Sequence, residues 1–434
     1  MSNKVKKVLL VGPILSNSGY GEHARCVLRS LIRNIEKFDI YIAPTSWGAT
    51  STDTKDTPEN KFIINCIKRT QQYKEGKYDI SLQVALPNEW KKIAPINIGI
   101  TAAVETDRCN PEWIRNCNEM DKVITISEHA STSLTKHAYP LQDKQGNHVG
   151  TLSCENNPKV IGYPVKEYIP DDFSKNLNIS EKCFLSVAQF APRKNVEALI
   201  RSFVEEFKEE EVGLVLKANM VTDSIIDRRN TSQLIGQMLK AIDPKDKRKC
   251  KIHLLHGRLT EAELHSLYSD PRIFGYVTTT HGEGFGLPVF EAVYSGLPVI
   301  APTWSGYLDF LKAPVVNETS GKVRSKNLFL KTRFELKPVD PRAIMQGIII
   351  EGSQWAYIDE KHFKKNMRSL LESPTSYRND AKILQEHIRN KFSEEKIYSK
   401  FLNEILDSLG SHPDLAPKPG LDEDDFALFK TQNL

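Results

Sequence analysis

Residues 273–296 read "IFGYVTTTHGEGFGLPVFEAVYSG", a β-type run, a glycine-bearing turn and an apolar helical run that stops at Gly296. Pro288 suits the first position of a helix, because proline lacks the N–H that would be unpaired there, and glycine commonly closes a helix. The turn therefore delivers backbone N–H groups to a helix N-terminus. Such a terminus carries about half a positive charge and free donors, so a diphosphate or a sugar hydroxyl can sit against Gly284, Phe285, Gly286 and Leu287. Glycine permits the close approach. Two acids stand eight positions apart across this turn. Glu291, placed in the first helical turn, can accept two hydrogen bonds from the vicinal hydroxyls of a ribose, and Glu283 lies nearer a reacting end. The plainer alternative makes Glu291 a partner of the helix dipole and Glu283 a surface turn residue. The glycines between them favour the first reading.

The strand, turn and helix of this stretch recur along the chain. "KVLLVGP" (7–13) reads as a buried strand, "SNSGYG" as a polar loop, and Ala24, Val27, Leu28, Leu31 and Ile35 follow at helical spacing. "YDISLQV", "INIGITAAVET" and "DKVITIS" continue the series, with Ser127 placed to cap the helix "EHASTSLTKH". Gly162, Pro164 and Pro170 then interrupt the pattern, and a second series starts at "CFLSVAQF", with a helix over 195–208, strands at "GLVLKAN" and "KIHLLHG", a helix around 260–268, and "LPVIAPT" after the opening motif. Strands alternating with helices imply parallel sheets covered on both faces. The expected division is an N-terminal Rossmann-like domain over 1–170 and a second over 171–375. Helices over 376–410 carry Ile383, Ile388, Phe392, Ile397, Phe401, Ile405 and Leu409 on one stripe and cross back to the first domain, and 411–434 is an acidic, proline-containing tail.

Composition narrows the function classes. A chain of 434 residues suits two domains, and 40% hydrophobic with 26% charged residues and a net charge of +4 is ordinary water-soluble composition with no demand for nucleic acid. The basic run at 240–251 reads as solvated surface. No stretch reaches the length of a signal peptide core or a spanning helix, which points to a cytoplasmic protein. The seven cysteines (Cys26, Cys66, Cys109, Cys117, Cys154, Cys183 and Cys250) are scattered and never form a C-x-x-C pair, so they read as reduced structural thiols.

With these residues in view, "EGFGLPVFEAVYSGLPVIA" resembles the E-x7-E motif of retaining GT-B glycosyltransferases of family 4, the glycosyltransferase group 1 type. "SVAQFAPRKNVEALIRSF" is similar to that family's diphosphate-binding segment, "HGRLTEAELHSLYSD" to its strand and helix beside the base, and "AAVETDRCNPEWIRNCNEMDKVITIS" to an acceptor-domain segment. The resemblance spans most of residues 5–400. It implies two Rossmann-like domains facing across a cleft, and it gives Lys194, with Arg193 beside it, the task of neutralising a donor diphosphate. Two cations at a strand-to-helix junction suit a leaving group whose charge grows in the transition state. Where the family often has an arginine about five residues before that lysine, this chain has Gln189. Gly19 and Gly21 match the family's N-terminal glycine loop, and Glu105 takes the place of a histidine found in many relatives, facing the acceptor or sugar.

Alternatives stay open at several positions. Glu105 and Asp107 can instead cap the helix that opens at Pro111. His281 can reach the sugar or serve as a hydrogen-bonding turn residue. Arg258 and Lys217, both near strand ends, can contact base or phosphate or face solvent. No D-x-D run precedes the acidic tail, whose "DEDD" spans 422–425, so no metal is expected. The resemblance thus implies a retaining, metal-independent hexosyltransferase in glycan or polysaccharide synthesis, using a UDP- or GDP-linked sugar as co-substrate. Its acceptor would be a glycan, lipid-linked or protein hydroxyl, and peripheral membrane contact stays open. A catalytically idle sugar-nucleotide-binding partner and a GT-B epimerase or phosphorylase are the rival readings.

Overall fold

The computed structural model describes residues 5–48, 50–53, 55–316 and 321–411. The first half runs β1 (Lys6–Gly12), α1 (Gly19–Ile32), β2 (Phe38–Pro44), α2 (Pro58–Gln72), β3 (Ile80–Val84), β4 (Ile96–Thr101), α3 (Pro111–Glu119), β5 (Lys122–Thr125) and α4 (Glu128–Thr135). An antiparallel hairpin, β6 (Tyr139–Gln142) with β7 (His148–Leu152), and a short β8 (Lys159–Val160) complete it. Six of these strands form one parallel sheet in the order β2-β1-β3-β4-β5-β8. Every residue of β3 and β4 is buried, as expected of central strands covered on both faces. Their polar members are paired. Ser81 donates to Asn97 at 2.9 Å, and the Gln83 amide exchanges hydrogen bonds with the Lys91 backbone.

The second half runs β9 (Cys183–Gln189), α5 (Val196–Phe207), β10 (Gly213–Asn219), α6 (Ile225–Ile242), β11 (Lys251–Leu255), α7 (Glu261–Tyr268), β12 (Ile273–Val277), α8 (Leu287–Tyr294) and β13 (Val299–Pro302). After a hairpin of β14 (Lys312–Val316) and β15 (Val323–Asn327) come β16 (Leu330–Thr332) and the antiparallel pair β17 (Phe334–Pro338) and β18 (Gln354–Ile358). Its parallel sheet has the order β11-β10-β9-β12-β13-β16. Numbered from its own first strand this is 3-2-1-4-5-6, the order of dinucleotide-binding sheets.

Three helices follow, α9 (Glu360–Glu372), α10 (Pro374–Lys391) and α11 (Glu394–Ser411). The single stripe read over 376–410 needs correction. The chain breaks at Phe392 between α10 and α11, and α10 buries Ala381, Leu384 and Ile388, a face that leaves Ile383 exposed. α10 runs against the C-terminus of α8, where Gln385 and Arg389 donate to the Tyr294 carbonyl at 2.9 and 3.1 Å and satisfy one of the acceptors a helix end leaves open. α11 lies on α1 and the first sheet, with ion pairs Arg33–Glu394 and Lys122–Glu404, each 2.6 Å. One apolar cluster runs through both halves. Phe285 packs on Tyr163, Phe290 and Phe310 at ring separations of 5.0 to 5.1 Å, and Phe290 packs on Phe392. The acidic 422–425 run lies outside the described residues.

Candidate active site

The second sheet reverses direction of growth at β9, with β10 on one side and β12 on the other. Open α/β sheets bind ligands in the crevice beyond the strand ends at such a point. β9 leads into the short turn Pro192–Lys194, and β12 into Thr278–Glu283. The two loops meet. Lys194 Nζ lies 2.6 and 2.8 Å from the two oxygens of Glu283, Arg193 Nη1 is 3.1 Å from Glu283 Oε2, and Thr280 Oγ1 donates to Glu283 Oε1 at 2.9 Å. Arg193 also donates to the Gly282 carbonyl at 2.5 Å and reaches Glu105 Oε1 at 3.1 Å, at the end of the segment following β4. Two cations and two carboxylates thus interlock across the line between the sheets.

Burial would raise the Glu283 carboxyl, but the Lys194 and Arg193 charges outweigh it and hold the group at about 2, so it is ionised at neutral pH. Burial pulls the Lys194 ammonium down and the Glu283 carboxylate opposes that pull. The Arg193 guanidinium is raised, because Glu105 and Glu283 together exceed the cost of its burial.

The backbone around this cluster is held in uncommon conformations. Asn195 (φ 49°), Ala103 (φ 51°) and Ser305 (φ 137°) are non-glycine residues with positive φ, and all three adjoin the site. Ser305 explains one of them. Its hydroxyl donates to the Glu283 carbonyl at 2.7 Å and accepts from the Glu283 N–H, which fixes that residue's backbone. The turn glycines also pack against the first half of the chain. A Cβ at Gly282 would run into the Glu105 carbonyl, and one at Gly284 would press on Ala102 at 3.1 Å. Close approach is therefore required by the first sheet's loops. Ser127, the predicted and observed cap of α4, seals the contact by donating to the Gly284 carbonyl at 2.5 Å.

Gly286 adopts φ +90° and serves as N-cap of α8, so the helix begins at Leu287, and no side chain caps it. This corrects the placement of Glu291, which is the fifth helical residue and belongs to the second turn. Glu291 accepts from the Tyr268 hydroxyl at 3.0 Å, and Tyr268 also reaches the Pro288 carbonyl at 3.2 Å. Burial pushes the Glu291 carboxyl up to about 7, with Tyr268 and Lys166 opposing. The Phe285 side chain belongs to the core, which leaves its backbone as the only part that can face a ligand.

Other predicted residues are distributed around the same cleft. Gly19 and Gly21 form the first turn of α1 rather than a loop before it. Ser18 caps the helix through the Gly21 N–H, and a Cβ at Gly21 would strike the Ser16 carbonyl. Arg258 reaches across to the same region, 3.0 Å from Asp53 and 3.2 Å from Asn17. Capping of α3 falls to Asn110, not to Glu105 or Asp107; Asp107 accepts from the Gln354 N–H at 2.6 Å. His281 is buried, its Nδ1 bonded to the Ala356 carbonyl at 2.7 Å and its ring stacked on Trp355, which makes it a strut between the motif and β18. Lys217 sits inside β10, where burial lowers its ammonium, and Gln189 bonds the Met220 carbonyl. Sequence reasoning missed Thr280, Ser305 and Tyr268, and Lys166, which bridges Glu22 of α1 (2.6 Å) and Glu261 of α7 (3.3 Å). Only Thr280 had a local signal, three positions before Glu283. Among the described residues no cluster of three or more His, Cys, Asp or Glu is arranged to hold a metal ion, and no helix is long and apolar enough to cross a membrane.

Two Rossmann-like units joined along the C-terminal ends of their sheets define the GT-B architecture. Comparison with known proteins then gives a family likeness. Residues 169–320 match glycosyl transferases group 1, and residues 261–401 match a family 4 glycosyltransferase described from conflict systems. Residues 169–401 are thus similar to glycosyltransferases of the group 1, family 4 type. A probable sucrose-phosphate synthase 1 from Citrus unshiu is 27% identical over 168 residues, which are 37% of this chain and 15% of that protein; the chain thus spans a small part of that relative's length. Similar in fold are the Anabaena protein HepE in complex with UDP and glucose (TM-score 0.58, 14% identity, 93% of this chain and 100% of that one) and the sucrose-phosphate synthase of Thermosynechococcus elongatus (TM-score 0.57, 13% identity, 93% and 99%).

Proposed function

We propose that this chain is a retaining, metal-independent glycosyltransferase that moves a hexosyl unit from a UDP- or GDP-linked sugar to a hydroxyl acceptor in glycan synthesis. The observation that carries the reading is the Lys194–Glu283–Arg193 cluster at the β9/β12 crevice, 2.6 to 3.1 Å within itself and beside a helix N-terminus without a side-chain cap. The match of residues 169–320 to glycosyl transferases group 1 supports it. In this proposal residues 171–375 bind the donor, 1–170 shape the acceptor side, and 376–410 tie the two together.

Lys194 and Arg193 carry the diphosphate, and their charge offsets the negative charge that grows on the leaving oxygen. A diphosphate would share these cations with Glu283, leaving that carboxylate to hold a sugar hydroxyl. Glu291 holds the ribose, and ionised above about pH 7 it accepts two hydrogen bonds. Glu105 faces the acceptor and keeps Arg193 oriented at 3.1 Å. The acceptor hydroxyl attacks from the face the diphosphate leaves, and a leaving phosphate oxygen takes its proton, so no enzyme nucleophile is needed. The test is incubation with UDP- and GDP-hexoses and a panel of glycan acceptors, with nucleotide release and NMR of the new linkage as readouts. The expected product keeps the donor's anomeric configuration, with full turnover in excess chelator. An inverted linkage overturns retention, and loss of turnover in chelator overturns metal independence.

A further inference from the structure

Away from the cleft, the segment after β7 is bound to the end of α3. Asn118 Nδ2 donates to the Ser153 carbonyl at 2.8 Å, and the Glu155 N–H donates to Asn118 Oδ1 at 2.9 Å. Asn156 Nδ2 donates to the carbonyls of Cys117 and Met120 at 3.2 and 3.0 Å. These four bonds bring Cys154 beside Cys117, and the Cys154 thiol donates to the Asn156 carbonyl at 3.3 Å. Both are free thiols in the structure. They differ in access, Cys117 being fully buried in α3 and Cys154 partly open to solvent.

We propose that Cys117 and Cys154 form a reversible dithiol/disulfide pair, entered at Cys154 by exchange with a small-molecule disulfide such as glutathione disulfide. The Cys154 thiolate attacks one sulfur of the small disulfide, forming a mixed disulfide and releasing one small thiol. The Cys117 sulfur then attacks the Cys154 sulfur and expels the second small thiol, which leaves with the Cys117 proton. Two protein thiols and one small disulfide become one protein disulfide and two small thiols, so atoms and electrons balance. Cys154 is the more accessible of the two thiols, which sets the order of attack. The consequence reaches the site, because the cross-link ties the β6–β7 hairpin to α3, whose start follows the Glu105 turn.

The test incubates the full native chain with glutathione disulfide, then counts thiols after denaturation and maps peptides by mass. The count should fall by two from the seven cysteines in the sequence, with a Cys117–Cys154 cross-link that dithiothreitol removes. Cys117→Ser should stop the reaction at a glutathione adduct on Cys154. Cys109→Ser, which alters a buried neighbouring thiol, should still form the cross-link. An unchanged thiol count, a cross-link between any other pair, or a Cys117→Ser chain left unmodified at Cys154 overturns the proposal.

Discussion

Glu283→Gln is the most informative substitution, because it keeps the side chain's shape and removes the charge that Lys194 and Arg193 face. Glutamine approximates the protonated carboxyl. The native environment holds Glu283 at about 2 against 4.5 for an unperturbed glutamate. A depressed carboxyl contributes stability that is fully present above the unfolded value and is lost as pH falls through the folded one. The shift corresponds to about 3 kcal/mol at pH 7, consistent with the cost of breaking a buried ion pair. By the same linkage the gap between wild type and Glu283→Gln should narrow to about 2 kcal/mol at pH 3.5. Urea unfolding of both proteins at several pH values reads this directly. A second readout follows from the charges. With the carboxylate gone, a diphosphate no longer competes for the two cations, so UDP or GDP should raise the melting temperature of Glu283→Gln more than that of the wild type, while sugar transfer falls. A stability gap below about 1 kcal/mol at pH 7, or one that does not change with pH, would refute the coupling between Glu283 and the two cations.

Glu291→Gln should behave with the opposite sign. The carboxyl is raised to about 7, so the wild type loses stability as pH rises from 4.5 through 7, and the glutamine variant should be the more stable by about 1 to 3 kcal/mol at pH 8 in urea unfolding, with weaker nucleotide binding. Gly306→Ala places a Cβ against the Gly284 carbonyl and near Ser127 Oγ, so it should lower stability by about 2 kcal/mol or more, read by calorimetry, and disrupt the Ser127–Gly284 contact between the sheets. His23 is buried with neither ring nitrogen bonded, and burial lowers it to about 4. The wild type should therefore lose stability as pH falls from 6.5 toward 4, by up to about 3 kcal/mol, and His23→Phe should flatten that slope in pH-dependent thermal unfolding.

Much of the framework was legible in the sequence because it is local. Hydrophobic periodicity placed β1, β3, β4, β9, β10 and β12, and short-range caps such as Ser127 act within one turn. The elements missed include β2 and α9, whose buried positions the reading passed over, and others without a clean period. α2 and α6 are largely exposed, and β14, β15 and β17 are edge strands with few buried positions. Phe392 shows the limit of a stripe. Its spacing fits one continuous helix, but α10 ends before it, and the face α10 buries, Ala381, Leu384 and Ile388, leaves Ile383 in water.

The candidate site divides in the same way. The sequence by itself determined the residue types, with Glu283, Glu291, Arg193 and Lys194 set by motif, and the strand-to-helix junctions that carry them. It could not say that Glu283 pairs with Lys194 at 2.6 Å, that Ser305 fixes its backbone, or that Glu105 approaches Arg193 from the other sheet. Those relations join residues from 22 to 89 positions apart. Tertiary structure also gave two like acids opposite character. Two adjacent cations hold Glu283 ionised, whereas burial beside Tyr268 keeps Glu291 near neutrality, and an ionisable group's charge depends on what the fold places within a few ångströms of it.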